Sequence, residues 1–135
     1  MPMRILVLDD DPAVRLFLDR ILRREDYRVT SVATGAEALA SLRAARYDGF
    51  VVDKHLPGES GLEVLAEARK IDPGLPAILI TAYPEPLLKR SARLQGYLNK
   101  PFESADQVVE LVRRTFTPRR DADAADPKWA QEQVP

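Results

Sequence analysis

Carboxylates are concentrated at two points of the sequence, each directly after a short apolar run. The acidic triplet Asp9–Asp11 follows Ile5–Leu8, and Asp53 follows Gly49–Val52. Carboxylates this close repel one another, and a hard divalent cation with oxygen ligands neutralises them. Mg²⁺ takes one or two carboxylates and shares the rest of its octahedral shell with water and phosphate oxygens. The pattern therefore predicts a magnesium site that handles phosphate.

Two more polar side chains follow later apolar runs. Thr81 comes directly after Ala77–Ile80, and Lys100 stands just beyond Gly96–Leu98. An aspartate beside a cation can attack phosphorus and form an aspartyl phosphate, which is the chemistry we predict for Asp53. Such a transfer depends on positioning and charge neutralisation. The Lys100 ammonium and the Thr81 hydroxyl can each contact a phosphoryl oxygen.

The elements that must position these residues are short strands that alternate with helices up to about residue 117. Strict alternation predicts a doubly wound α/β fold of the flavodoxin-like (βα)5 type, with helices on both faces of a five-stranded parallel sheet. Ligands of such sheets bind beyond the carboxyl ends of the strands. The polar residues are therefore expected to meet at that edge. The predicted strands are Ile5–Leu8, Arg28–Ala33, Gly49–Val52, Ala77–Ile80 and Gly96–Leu98.

Each strand is followed by a helical pattern. Pro12 suits a first helical turn, and two capping boxes open the second and third helices, Thr34 with Glu37 and Ser60 with Glu63. The fourth helix is predicted to be short, over Pro86–Leu94. The last begins near Ser104, and its predicted buried face is Val108, Leu111, Val112 and Phe116.

Composition restricts the function classes. The 135 residues suit one domain, and 20 basic residues against 21 acidic ones give no bulk charge that favours DNA or an anionic membrane. The lack of cysteine excludes disulfides and thiol catalysis. No apolar stretch approaches the roughly 18 residues that span a bilayer, and the first apolar run is too short for a signal peptide. We expect a cytoplasmic protein without direct DNA or membrane binding.

The composition changes near the end of the folded pattern. Residues 1–117 are predicted as one domain, and the polar, proline-bounded stretch 118–135 as a disordered tail. Trp129 lies in that tail, where an unstructured end is favoured over a docking anchor. We expect no second domain.

Four motifs, in this order, resemble the receiver domains of two-component response regulators from about residue 3 to residue 117. Each motif alone is weak, but each follows its own predicted strand. The motifs are Ile5-Leu6-Val7-Leu8-Asp9-Asp10, Asp53 with Pro57-Gly58 and Gly61-Leu62, Ile80-Thr81-Ala82, and Lys100-Pro101-Phe102.

The resemblance implies a role for each residue of the metal site. Asp53 would be the phosphoacceptor. Asp10 would bind Mg²⁺ directly, Asp9 mainly through water, and His55 through its backbone carbonyl. The only histidine side chain is His55, and an exposed side chain in a loop is favoured over a general base or a transition-metal ligand.

The resemblance also implies a switch. Thr81 would be the switch hydroxyl, Lys100 the phosphate-binding lysine, and Tyr97 the aromatic residue that turns inward on activation. Family members receive the phosphoryl group from a histidine kinase or a histidine phosphotransfer protein and slowly hydrolyse it themselves. Without an output domain, signalling is expected through contact with an unknown downstream protein, and a homodimer is possible in this family.

Three features depart from the family pattern or depend on it alone. Lys54, beside the acceptor, carries a charge where relatives commonly have an apolar residue. The stretch between Thr81 and Lys100 is short and contains two prolines, so the fourth helix and the output surface usually built from it are expected to depart from the family pattern. The Lys100–Pro101 bond is cis by analogy with the family.

Two other functions compete with the receiver interpretation. A haloacid-dehalogenase-like phosphatase would use Asp9 as nucleophile within an Asp-x-Asp motif, together with Thr81 and Lys100. Ala13 stands where that superfamily usually has Thr or Val, no late acidic pair follows the lysine, and Asp53 is left without a role. The second alternative is a receiver-like interaction module that is not phosphorylated.

Overall fold

The apolar runs form one parallel sheet in the computed structural model, which describes residues 2–119. The strands are β1 (Arg4–Leu8), β2 (Arg28–Val32), β3 (Gly49–Asp53), β4 (His55–Leu56), β5 (Glu59–Ser60), β6 (Ala77–Thr81) and β7 (Gly96–Asn99). The parallel sheet has the order β2-β1-β3-β6-β7, and β4 and β5 pair as a separate antiparallel hairpin. The doubly wound α/β prediction is confirmed.

Five helices cover the two faces of the sheet. Side chains cap four of them: Asp11, Thr34, Ser60 and Ser104 each accept a backbone N–H of the first turn. Ser60 is bonded by Leu62 N–H rather than by Glu63 N–H as a capping box requires. The helices are α1 (Pro12–Arg23), α2 (Gly35–Ala44), α3 (Gly61–Ile71), α4 (Pro86–Ser91) and α5 (Ala105–Thr115).

The core is divided into two layers by the sheet. Helices α1 and α5 pack on one face through residues such as Leu18 and Val112. Helices α2 and α3 cover the other face, for example through Leu42 and Leu65, and α4 packs against it. All residues of β3 and β6 are buried, which explains why both strands are nearly unbroken apolar runs.

Three predictions about elements need correction. Residues 55–60 contain the β4–β5 hairpin, whereas the sequence predicts a loop at His55. Helix α4 begins at Pro86 as expected but ends at Ser91 rather than Leu94, because Arg93 has a positive φ of 52°. Phe116 is buried as predicted but lies just after α5, where its ring fills the space beside Gly49.

The predicted tail lies almost entirely outside the described residues, and so does Trp129. The boundary predicted at residue 117 therefore stays a prediction. In the part of the chain that the structure describes, no helix has the length and apolar character needed to cross a bilayer.

Candidate functional site

The carboxyl edge of the sheet brings together the polar residues that the sequence singled out. Asp9 directly follows β1, Asp53 ends β3, Thr81 ends β6, and Lys100 directly follows β7. These strands are consecutive neighbours in the sheet, with Asp53 opposite Ile80 in the register. The four residues therefore lie at one edge because of the strand order, although 91 positions separate Asp9 from Lys100 in the sequence.

One ammonium group joins two carboxylates at this edge. Lys100 Nζ lies 2.9 Å from Asp9 Oδ2 and 3.0 Å from Asp53 Oδ2. Both carboxylates are buried, and 29% of the lysine side chain is exposed. Because the lysine side chain is partly exposed, its ammonium group can turn from the two buried carboxylates to an anionic ligand that enters from solvent.

The three predicted metal-site carboxylates also meet. Asp9, Asp10 and Asp53 each offer one carboxylate oxygen, and these oxygens lie within 4.8 Å of one another. Asp10 is exposed to solvent, whereas the other two are buried. Such a set of hard oxygen donors, open on one side, suits Mg²⁺ with water completing its shell.

A buried oxygen at the centre of the cluster supports this fit. Asp9 Oδ2 is buried, and its one partner among residues 2–119 is the Lys100 ammonium, 2.9 Å away. A carboxylate oxygen has two acceptor positions, so one of them is left without a partner. Its unfilled bonding capacity, together with the adjacent carboxylates, is what a small cation at this position would satisfy.

The protonation equilibria reflect the mixture of burial and pairing. Burial raises the pKa of Asp9, and the negative charge of Asp53 adds to this, against the hydrogen bond from Asp11 N–H and the pairing with Lys100. Burial opposes the charged form of Lys100, but the hydrogen bonds and charges of Asp9 and Asp53 outweigh it and raise the pKa of the ammonium. The lysine is therefore a permanent cation at neutral pH.

Local backbone geometry holds the two buried carboxylates in place. Asp9 Oδ1 accepts the N–H of Asp11 at 2.9 Å, and Asp53 Oδ1 accepts the N–H of His55 at 3.2 Å. Arg15 donates to the Asp9 carbonyl at 2.7 Å, which fixes the turn between β1 and α1. Each carboxylate is thus oriented by the backbone N–H of the residue two positions later. The sequence alone did not predict these two hydrogen bonds.

Gly61 permits the close approach of α3 to the end of β3. A Cβ atom at this position would lie 1.9 Å from the Asp53 carbonyl oxygen. Gly61 N–H donates to the Lys54 carbonyl at 2.9 Å, so the short hairpin between them folds back onto Asp53. The glycine of the predicted Gly61-Leu62 motif therefore has a steric role.

His55 lies in β4 rather than in a loop, but its side chain is exposed as expected. Its N–H binds Asp53. The assignment of its carbonyl as a metal ligand remains a prediction, as does the division of direct and water-mediated ligation between Asp10 and Asp9.

The two predicted switch residues bind the β6–α4 loop. The Thr81 hydroxyl accepts the N–H of Tyr83 at 3.1 Å and lies 3.4 Å from the Tyr83 carbonyl. Tyr97 is half-buried on β7, and its hydroxyl donates to the Glu85 carbonyl at 2.5 Å. Both hydroxyls are thus engaged by the segment that joins the site to α4.

The sequence did not predict an ion pair that Lys54 forms with Glu85. Lys54 Nζ lies 3.0 Å from Glu85 Oε1. Since the Tyr97 hydroxyl binds the Glu85 carbonyl, Glu85 connects Lys54 to Tyr97. Lys54 was noticed as an unusual charge, but no motif or spacing pointed to Glu85. The peptide bond at the other side of the site, Lys100–Pro101, is cis.

Comparisons with known proteins point in one direction. The model of the family described as response regulator receiver domain matches residues 5–113. The probable transcriptional regulatory protein TcrX of Mycobacterium tuberculosis is 35% identical over 129 residues, which cover 91% of this chain and 55% of TcrX. The DNA-binding transcriptional regulator NtrC of Escherichia coli is 35% identical over 116 residues, which cover 84% of this chain and 24% of NtrC. The chain thus spans about half or less of the length of these relatives.

Two solved structures of similar proteins are matched by this chain over almost their whole length. The chemotaxis protein CheY4 of Vibrio cholerae superposes with a TM-score of 0.77 at 25% identity, over 85% of this chain and 99% of CheY4. The response regulator protein TrrA of Thermotoga maritima, solved in complex with Mg²⁺-BeF, has a TM-score of 0.74 at 37% identity, over 85% of this chain and 99% of TrrA.

Proposed function

The chain belongs to the response regulator receiver domain family, and from that membership we propose that it is a switch operated by phosphorylation of Asp53 in the presence of Mg²⁺. The observation that carries the proposal is the position of Asp53. Its carboxylate lies within the acidic cluster on one side and 3.0 Å from the Lys100 ammonium on the other. A similar protein was solved with Mg²⁺-BeF.

Each residue of the site has a separate role in phosphoryl transfer. An Asp53 oxygen attacks phosphorus, an O–P bond forms, and the bond between phosphorus and the donor's leaving group breaks. Asp9, Asp10 and Asp53 would hold Mg²⁺, which when bound neutralises charge on the phosphoryl oxygens. Lys100 moves from pairing with a carboxylate to pairing with a phosphoryl oxygen, so its cation is already in place when the charge arrives.

The conformational response begins at Thr81. Its hydroxyl bonds only to the backbone of Tyr83 among the described residues, and a side-chain rotation can redirect it to a phosphoryl oxygen. Tyr97 then leaves the Glu85 carbonyl and turns inward, which changes the surface around α4 and β7. A shift from 1:99 to 99:1 between two such states requires about 5.5 kcal/mol of differential stabilisation.

The partners follow from this chemistry. The donor is a histidine kinase or a histidine phosphotransfer protein, and the output is contact with a downstream protein. Some relatives are named as DNA-binding regulators, but in the proposed function this chain acts through protein contacts, in the cytoplasm. Its own chemistry is limited to self-phosphorylation from a donor and autodephosphorylation.

Neither alternative function is favoured. The phosphatase interpretation places the nucleophile at Asp9 and assigns nothing to Asp53, yet Asp53 shares the same lysine and the same acidic cluster. An interaction module that is not phosphorylated would not need Asp53, the acidic cluster and Lys100 to lie together. In this protein they do lie together.

Incubation with acetyl phosphate and Mg²⁺, followed by intact-mass measurement, tests the assignment. We expect the protein to gain one phosphoryl group, Asp53→Ala to gain none, and the exposed control Asp106→Ala to behave as the unsubstituted protein. Phosphorylation of Asp53→Ala at the original rate would refute the site. A label mapped to Asp9 would support the phosphatase.

A further inference from the structure

Helix α4 and the loop before it bury little of their surface. No residue of α4 is buried, and loop residues 82–85 are all exposed. At the end of the helix, Arg69 of α3 donates to the carbonyls of Ala92 and Arg93. At its start, the polar contacts converge on Glu85. An element with so few buried apolar contacts shifts at low cost in free energy, so these polar contacts determine where it lies.

Glu85 is held by two residues of the sheet and its margin. Its carboxylate pairs with Lys54 Nζ at 3.0 Å, and its carbonyl accepts the Tyr97 hydroxyl at 2.5 Å. The backbone of Lys54 is fixed, because its N–H donates to Ile80 and its carbonyl accepts the N–H of Gly61, both at 2.9 Å. Only 18% of the Lys54 side chain is exposed. Lys54 thus connects a weakly packed loop to a fixed point directly after β3.

The proposed switch moves this loop. In that transition the Thr81 hydroxyl leaves the N–H of Tyr83, and Tyr97 leaves the Glu85 carbonyl. The ion pair with Lys54 uses one carboxylate oxygen of a Glu85 side chain that is 57% exposed, so a displaced loop separates the two charges and water replaces the contact. A contact made in only one of two states stabilises that state.

We propose that Lys54 is a positioning residue of the switch, which holds Glu85, and through it Tyr97, in the unphosphorylated arrangement. The inference rests on the proposed function, because it concerns the transition that phosphorylation causes. Lys54 opposes activation, since the phosphoryl group has to separate this ion pair. A partly exposed pair of this kind changes an equilibrium by about twofold to fivefold.

Affinity for beryllofluoride in the presence of Mg²⁺, measured by calorimetry on the full chain, tests the proposal. Lys54→Met removes the charge but keeps the apolar part of the side chain, and Glu85→Gln removes the partner charge. We expect each variant to bind about twofold to fivefold more tightly than the unsubstituted protein. The double variant should bind no more tightly than the single ones, because both remove the same pair. Lys70→Met, which breaks the exposed pair with Glu67 on α3, should leave the affinity unchanged.

The sign of the Lys54→Met effect separates positioning from a simple charge effect. Lys54 is adjacent to Asp53, so its charge alone attracts an anion, and its loss would weaken binding, whereas Glu85→Gln would strengthen it. Opposite effects of the two variants would therefore overturn the proposal. Weaker binding by both, or additive gains in the double variant, would overturn it as well.

Hydrogen exchange of the Tyr83 amide gives a second measurement that needs no phosphoryl group. This N–H binds the Thr81 hydroxyl, and in Lys54→Met it should exchange about twofold to fivefold faster. The amide of Val51, in the buried strand β3, should exchange as before. Failure of the unsubstituted protein to bind beryllofluoride would contradict the proposed function, and the Tyr83 amide would still decide the role of Lys54. An unchanged Tyr83 rate would overturn that role alone.

Discussion

At the residue scale, the chemistry of the site rests on an imbalance between anions and cations. Three carboxylates face one ammonium, and the buried Asp9 Oδ2 has that ammonium as its one partner among the described residues. The protein alone therefore holds excess negative charge at low dielectric, which disfavours the ionised form of Asp9. The same excess is what would bind a divalent cation and, through it, a phosphoryl group.

The raised pKa of Asp9 predicts a pH-dependent affinity for Mg²⁺. Protonated Asp9 cannot act as a ligand, so affinity should fall as the pH drops through the raised pKa, by up to tenfold per pH unit for one proton released. Asp9→Asn should bind Mg²⁺ more weakly and lose this component of the pH dependence. Isothermal titration calorimetry at several pH values measures both effects.

The same pKa shift has a defined sign for stability. Because the folded protein binds this proton more tightly than the unfolded chain, Asp9 makes stability fall as the pH rises from the ordinary aspartate pKa of 3.8 to the raised pKa of the folded state. In urea unfolding with EDTA, the Asp9→Asn variant should lack this slope. An unchanged slope would mean that another group is responsible.

The contact between Glu85 and Tyr97 gives a second residue-level prediction. Burial raises the pKa of the Tyr97 phenol, and the negative charge of Glu85 raises it further, whereas Lys54 lowers it. Glu85→Gln should therefore lower the Tyr97 pKa and Lys54→Met should raise it. Titration of the tyrosine ring carbon by NMR distinguishes the two signs, and shifts in the same direction for both variants would contradict the assignment.

The site residues were predictable to different extents. Asp9, Asp53, Thr81 and Lys100 could be found because each follows an apolar run, and parallel strands bring their carboxyl ends together. The Lys54–Glu85 pair could not, because 31 positions separate the two residues and Glu85 lies in a loop without periodicity. Its geometry depends on how that loop packs.

At the element scale, the hairpin formed by β4 and β5 positions Asp53, whose carboxylate accepts the N–H of His55 in β4. Its strands have two residues each, too few for the period-two alternation by which strands are recognised. Helix α4 was predictable at its start, where Pro86 suits a first turn, but not at its end. Leu94 is buried by packing against the core, so its apolar character did not indicate helix.

Gly61 provides the test at this scale. In Gly61→Ala the new Cβ would overlap the Asp53 carbonyl oxygen, and relief of this clash should cost about 3 kcal/mol of unfolding free energy and slow phosphorylation. Gly58 is a matched control, because it has open space around it but a φ of 71°. Gly58→Ala should cost about 1 kcal/mol through backbone strain alone, with the phosphorylation rate retained. Urea unfolding and acetyl phosphate labelling compare the two.

At the scale of the whole molecule, the two ends of the sheet have separate tasks. The carboxyl edge holds the acidic cluster and Lys100. The opposite edge anchors the chain after α5: the Arg119 N–H binds Asp48 Oδ1 at 2.9 Å, and its guanidinium binds Asp72. The sequence suggested only a polar stretch after residue 117, since no pattern connects an arginine there with an aspartate 47 positions earlier.

Arg119 should therefore contribute strongly to stability. Its side chain and that of Asp72 are almost fully buried, so Arg119→Ala leaves a buried carboxylate unpaired and should cost about 3–5 kcal/mol. Arg119→Leu combined with Asp72→Leu should recover most of that loss. Arg114→Ala, at an exposed position of α5, should change the unfolding free energy by less than about 0.5 kcal/mol. Equal effects of Arg119→Ala and Arg114→Ala would contradict the role of the pair.

The anchoring of Arg119 at the amino ends of the strands also bears on protein engineering. A five-residue strand is about 17 Å long, so Arg119, which binds Asp48 just before β3, lies roughly that far from Asp53, at the opposite edge of the sheet. A fluorescent reporter or an affinity handle attached there would leave the approach of a phosphodonor unobstructed. The same attachment point would let the molecule be immobilised on a sensor chip with its reactive edge facing the solution.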